Sequence, residues 1–289
     1  FINVGTNTVT NAGASLSVTN ALSITGTLMQ SAGTIQIDPS AGRLVVNRPA
    51  SLTGGTVRAA FAATGNYIAG DYTIIAAGAG SDYTGLSLVT NTVTGQSAAL
   101  TSVSGNNIIT TARNDYVGGT LTSVGNTGTI SGVKTAVYIA ATGSVGTLTN
   151  TGTLSGNTRG IFLVSGGQAG TITNSGRIVA VGGAGAAGGI ANSGTVAAIV
   201  NTGTIISSSS SGIGLNVNAS SLGRITNSGL INGATGGIYS QGTIGTISNS
   251  GQITSPQVGI SITNGTVSAI ENSGTISGPV AIFVSSTST

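Results

Sequence analysis

The chain has 289 residues, 49 of them Gly, and only 4% are charged, against ~25% in ordinary globular domains. Its formal net charge of +3 rests on eight basic residues scattered singly (Arg43, Arg48, Arg58, Arg113, Lys134, Arg159, Arg177 and Arg224), so there is no basic patch of the kind that nucleic acid requires, and that partner is excluded. Cys and His are absent, which removes disulfides, the common nucleophile–base triads and the usual zinc ligand sets.

Low charge with much Gly and Ser could describe a disordered linker. The 39% hydrophobic content argues otherwise, because it supplies enough apolar surface to bury. No apolar run reaches the ~18 residues of a membrane-spanning helix. The chain opens on Phe1 rather than Met, and the expectation is a processed product or part of a longer precursor.

From the N-terminus, short apolar pairs alternate with Gly, Ser and Asn turns: Leu16/Val18, Leu22/Ile24, Ile35/Ile37 and Leu44/Val46. Period-two spacing of this kind predicts strands, and residues 1–60 are expected to form irregular β-solenoid coils. Residues 61–116 hold Phe61, Tyr67, Tyr72, Tyr83 and Tyr116, half of the six Tyr and four Phe in the chain. They are expected to be a separate aromatic segment or cap, ending near "RNDYVGG" (113–119).

Residues 117–289 are dominated by a repeat. "TLTNTGTL" (147–154), "TITNSGRI" (171–178), "RITNSGLI" (224–231) and "TISNSGQI" (246–253) are close copies. With the Asn as origin, the series is Asn126, Asn150, Asn174, Asn201, Asn227, Asn249 and Asn272, at spacings of 24, 24, 27, 26, 22 and 23. Two residues before each Asn, four after it and five before it, every copy is apolar. A third apolar cluster, such as Val137/Ile139 or Ile260/Ile262, lies about a dozen residues upstream and is often introduced by Gly.

Three short strands per turn of some two dozen residues predict an all-β fold, a right-handed parallel β-helix (β-solenoid). Successive coils then sit ~4.8 Å apart with like residues stacked. The seven Asn are predicted to form a structural ladder at one corner, each amide bonding to the next. The Gly two positions on is expected to supply a positive φ for a tight corner, and the intervening Ser or Thr to point outward or bond local backbone. "VGGAGAAGG" (181–189) and Ser207–Ser211 fall where coils lengthen and are expected to protrude.

These repeats, "GTLTNTGTLSG" (146–156) and "NSGTISG" (272–278) among them, resemble the passenger regions of bacterial autotransporters and large surface adhesins. So does "GTVRAAFAATGNYIAGDYTIIAAGAGSDYTG" (55–85). The resemblance implies export across two membranes, a right-handed β-helix, and a role in adhesion, aggregation or display at the cell surface. The chain departs from the family in two ways. The Tyr-containing passage precedes the regular coils instead of following them, and ten aromatics cannot furnish the two girdles of a membrane barrel.

Some β-helices degrade polysaccharide, a reaction that needs paired carboxylates. The acids here are Asp38, Asp71, Asp82, Asp115 and Glu271, and only Glu271 lies in the regular coils. Asp71 and Asp82 could meet in the aromatic segment but read more simply as turn residues. "GAGAAG" (183–188) spells a dinucleotide fingerprint with no strand-to-helix context and no acidic residue ~20 positions on. Calcium-binding repeats would need Asp residues that "GGAGAAGG" lacks. An ice-binding Thr lattice starts at Thr147/Thr149 and Thr171/Thr173 but breaks at Ala198/Val200.

The expectation is therefore a non-enzymatic extracellular scaffold with no catalytic residue, cofactor or metal. Its partners would be further copies joined end to end, or more of a longer passenger, and surface glycans or proteins of a host or neighbouring cell. "FINV" at the start and "GPVAIFV" near the end supply apolar end strands without polar caps, which favours such stacking.

Overall fold

A computed structural model describes residues 2–98, 101–183 and 187–285 of the chain, and every regular element in it is a β-strand. The chain divides into two compact units, Phe1–Arg113 and Asn114–Thr289.

In the first unit, strands Thr8–Val18, Thr27–Ile37, Thr56–Ala60 and Ser87–Asn91 lie side by side in parallel. A second sheet joins Ala21–Ile24, Arg43–Val46 and Gly70–Ala77 in parallel, then turns antiparallel through Asn107–Ala112 and Ser102–Ser104. Residues 61–113 thus share both sheets with residues 1–60. The chain alternates between the sheets, which is the winding of a solenoid with uneven coils.

The core of this unit holds Ile24, Leu28, Ile35, Ile37, Leu44 and Leu52, all fully buried. Tyr67 is buried with them. Its hydroxyl accepts a bond from the Ala62 N–H (2.6 Å) and donates to Asp38 Oδ1 (2.9 Å). Burial is the largest cause that pushes the Tyr67 hydroxyl up to about 12, with the Asp38 charge adding to it. A raised native value means that the folded state holds the proton more tightly. The associated stability is complete below the unfolded value of ~10 and is lost as pH rises through about 12. Alkaline unfolding followed by circular dichroism should therefore show a transition of the first unit in that window. Tyr67→Phe should remove the tyrosinate contribution while lowering stability at pH 7 by about 1–2 kcal/mol through the orphaned Ala62 N–H.

The second unit is a right-handed parallel β-helix with three faces. One coil runs through Ser144–Asn150, Thr153–Gly156 and Arg159–Leu163 on the first, second and third faces. Successive coils pair in parallel on every face, from Thr120–Asn126 to Thr266–Asn272 on the first and from Thr129–Gly132 to Thr275–Ser277 on the second. In this coil Val145, Leu148, Leu154, Ile161 and Leu163 point inward and are at most 1% exposed. Each contributes about 1.5–3 kcal/mol of burial, and the same positions stay aliphatic in the other coils from Thr120 onward except at Asn192 and Ser240 in the Leu163 column. Ion pairs are dispensable to such a core, which is why the composition can be so poor in charge.

The Gly of each Asn-Ser/Thr-Gly acts differently from the expectation. None of Gly128, Gly152, Gly176, Gly203, Gly229, Gly251 and Gly274 has a left-handed φ. From Gly152 onward, a Cβ at each would overlap the backbone oxygen of the corresponding Gly one coil earlier; at Gly128 it would meet open space. These residues are Gly because backbones stack there without room for a side chain. A second column follows the same rule on the third face. At Gly214, a Cβ would lie 2.8 Å from Ile231 Cγ2 and 2.7 Å from the Gly237 oxygen. Gly160, Gly189, Gly237 and Gly259 likewise make room for an isoleucine of the next coil.

The expected protrusions are only partly so. Ser208, Ser210 and Ser211 are exposed, but Ser207 and Ser209 are buried, and the Ser207 hydroxyl donates to the Ala187 oxygen (3.3 Å). In the 181–189 segment Val181 is exposed, while Ala187 and Gly188 are buried. Residues 184–186 lie outside the described residues, and with them half of the "GAGAAG" spelling.

Candidate functional site

The first face ends on the ladder asparagines, which are paired directly from coil to coil: Asn126 with Asn150, and onward through Asn174, Asn201, Asn227, Asn249 and Asn272. Each Nδ2 donates to the Oδ1 of the next Asn at 2.7–2.8 Å. The same nitrogen reaches two carbonyls, that of the Gly two residues on and one on the next coil. For Asn201 these are Gly203 (3.3 Å) and Leu230 (3.2 Å). The Asn main-chain oxygen is also occupied; that of Asn201 accepts the N–H of Ser228 (2.9 Å) and Gly229 (3.2 Å).

A primary amide suits this corner because it carries a donor and an acceptor on one short side chain. Repeating it makes a chain in which every amide is oriented by its neighbour. Asn126 to Asn249 are buried, while Asn272 in the last coil is exposed. The residues between Asn and Gly, Thr127 through Ser273, are all exposed.

Sequence reasoning missed two related features. Asn192-Ser193-Gly194 spells the repeat tripeptide but sits at the turn from the third face to the first, out of step with the series near 24 residues. Asn192 occupies the column of Leu163 and Val217. It is fully buried there, and its Oδ1 accepts the Gly194 N–H (3.0 Å). The first unit, read as lacking an amide anchor, pairs Asn11 Nδ2 with Gln30 Oε1 (2.9 Å), and Gln30 continues to the Gly54 oxygen (3.1 Å). Only the mixed residue types and the 19-residue step hid that pair.

On the outer side of the third face, aromatic rings stack from coil to coil. Tyr116 and Tyr138 lie parallel at 5.6 Å, Tyr138 meets Phe162 edge-on at 5.6 Å, and the Arg159 guanidinium lies 4.2 Å from the Phe162 ring centre. Burial lowers the Arg159 pKa from its ordinary value, and the Tyr138 hydroxyl opposes that shift.

The acids occupy separate local arrangements. Asp71 Oδ1 accepts from Thr111 (2.5 Å), and Asp82 Oδ1 accepts from the Thr84 hydroxyl (2.6 Å) and N–H (2.9 Å). Those bonds lower the Asp82 pKa. Glu271 is exposed on the first face, in register with Ser248. On the outside of that face, Thr147/Thr149 and Thr171/Thr173 are followed by Ala198/Val200 and Arg224/Thr226. Among the described residues no group of three or more carboxylates could hold a metal ion, and no helix is long and apolar enough to cross a membrane. Compared with protein-family profiles, curated proteins and solved structures, the chain matches none.

Proposed function

We propose that the protein is a non-enzymatic bacterial structural protein, exported and displayed at the cell surface, whose β-helical unit is a stiff spacer serving as an adhesin or a self-assembling fibre subunit. The in-register asparagine ladder carries this reading. It commits the buried polar side chains at that corner to holding coil on coil and leaves Thr, Ser and Asn outside. The passenger-like spelling of the repeats supports export and surface display, with glycans or proteins of a neighbouring or host cell as partners.

Assembly would proceed by stacking. The last described coil exposes Val280 (42%), Ile282 (43%), Phe283 (45%) and Val284 (54%), and Asn272 Nδ2 donates only to the Gly274 oxygen (3.1 Å), where each earlier ladder residue also reaches a next coil. A coil from a second copy would cover that edge and extend the ladder.

Light scattering and negative-stain electron microscopy over a concentration series should show end-to-end species. The double variant Ile282→Lys, Val284→Lys should suppress them, because a charged edge strand cannot be buried against another. Wild-type protein that stays monomeric throughout would overturn the assembly reading. Protease treatment of intact cells of the source organism tests display, and full protection of the chain would refute it.

A further inference from the structure

We propose that a cleft in the first unit, independent of the β-helix and of any fibre role, binds a neutral sugar ring. The cleft has a volume of about 300 Å³ and is lined by Ser17, Thr19, Gln36, Asp38, Phe61 and Asn91, among others. Its position follows from the sheet. Ser17 pairs with Gln36, Gln36 with Arg58, and Ala60 with Asn91 in continuous parallel register. The C-terminal ends of four parallel strands therefore converge on one edge, where main-chain pairing stops and side chains take over.

Asp38 and Asn91 stand on either side of Ala60, two strand spacings or ~10 Å apart. Ala60 is the small residue in that row, and the gap over it is the cleft.

The chemistry of the lining selects the ligand. Asp38 Oδ1 accepts three bonds, from the Ser40 N–H (2.9 Å), the Ser40 hydroxyl (2.8 Å) and the Tyr67 hydroxyl (2.9 Å). They fix the carboxylate plane and leave Oδ2 without a protein donor among the described residues. Gln36 and Asn91 each offer a donor and an acceptor, and Ser17 and Thr19 add hydroxyls. Phe61 is 3% exposed and held against Tyr67 with ring centres 4.6 Å apart at 64°, and closes the floor of the cleft.

A single carboxylate repels phosphate or sulfate, yet is too few oxygens for a calcium site. Alternating donors and acceptors over an apolar floor, with no cation in the lining, match the vicinal hydroxyls of a pyranose. The volume lies at the small end of ligand pockets, which fits one ring.

The test uses the full chain and a panel of methyl glycosides (glucoside, galactoside, mannoside, N-acetylglucosaminide), with saturation-transfer NMR and titration calorimetry. At least one glycoside should bind saturably. Asn91→Ala should weaken it about fivefold to tenfold, the loss of one or two hydrogen bonds. Ala60→Phe, which fills the gap without removing a polar group, should abolish binding while the thermal unfolding curve stays unchanged. Absence of saturable binding by every glycoside would overturn the proposal, as would binding indifferent to both variants. Calcium chloride is titrated alone in parallel; saturable calcium binding lost in Asp38→Asn, without glycoside binding, would reassign the cleft to a cation and overturn it too. Neither outcome depends on whether the protein forms fibres, because the probe is monomeric ligand on the first unit.

Discussion

Gly203→Ala is expected to destabilise the β-helical unit by about 3 kcal/mol, the upper end of ordinary overpacking, while Gly128→Ala changes stability by no more than about 0.5 kcal/mol. The two residues are equivalent in the repeat and differ only in what lies one coil earlier. At Gly203 an added Cβ would overlap the Gly176 oxygen and crowd the Ser175 carbonyl, all backbone atoms that cannot swing aside. Accommodating it means separating two coils at a corner where the Asn174 oxygen also accepts the Gly203 N–H (3.1 Å). At Gly128 nothing lies within 4 Å of the added atom. Urea unfolding of both variants, followed by circular dichroism, makes the comparison. Equal costs at the two sites would refute the stacking explanation and restore a conformational role for the glycine.

Asn201→Ala is the second large effect, expected to cost about 3–5 kcal/mol from several buried polar groups left unpaired at ~1–3 kcal/mol each. The Asn201 amide accepts from Asn174 Nδ2 (2.8 Å) and donates to Asn227 Oδ1 (2.7 Å), and it is fully buried. Removing it interrupts the ladder in mid-column. Asn272→Ala at the exposed last rung should cost less, about 1–2 kcal/mol, since Asn272 donates to one carbonyl and accepts only from Asn249 Nδ2 (2.7 Å), which keeps the Gly251 and Thr275 oxygens.

Asn201→Asp separates hydrogen bonding from shape. The ionised carboxylate would face the oxygens of Asn227, Gly203 and Leu230, all acceptors, so its native pKa must rise above the unfolded value of ~3.9. A protonated acid can donate one bond. Stability of this variant should be greatest near pH 3, where it is protonated in both states, and should fall as pH rises through the elevated native value. Wild type lacks that dependence at this position. A variant whose stability is indifferent to pH from 3 to 8 would mean that the corner is wet or loose, and the ladder's contribution would shrink accordingly.

The two glycine roles show where sequence reasoning reached and where it stopped. Both positions were visible as recurrent Gly, because the repeat returns them at a constant offset. The reason for them was not, since a left-handed φ and a close backbone approach leave the same letter in the sequence. Only the placement of Gly176 beneath Gly203 decides between them. Asn192 makes the same point from the other side. Its tripeptide is identical to that of Asn174, yet it turns a different corner, because the corner is set by where the neighbouring coil's third face ends.

What the sequence determined by itself is the periodic part: strands, apolar parity, coil length, and an asparagine column with aliphatics two before and four after. Those follow from period-two alternation and the need to bury one side of each strand, which are local and repeat in every coil. Tertiary structure alone decided which carbonyls share each amide, why the glycines cannot carry a side chain, and which residues far apart in the chain meet at a sheet edge, as Asp38, Phe61 and Asn91 do. In an irregular unit such meetings depend on register between strands of unequal spacing, and no periodic signal in the chain records that register.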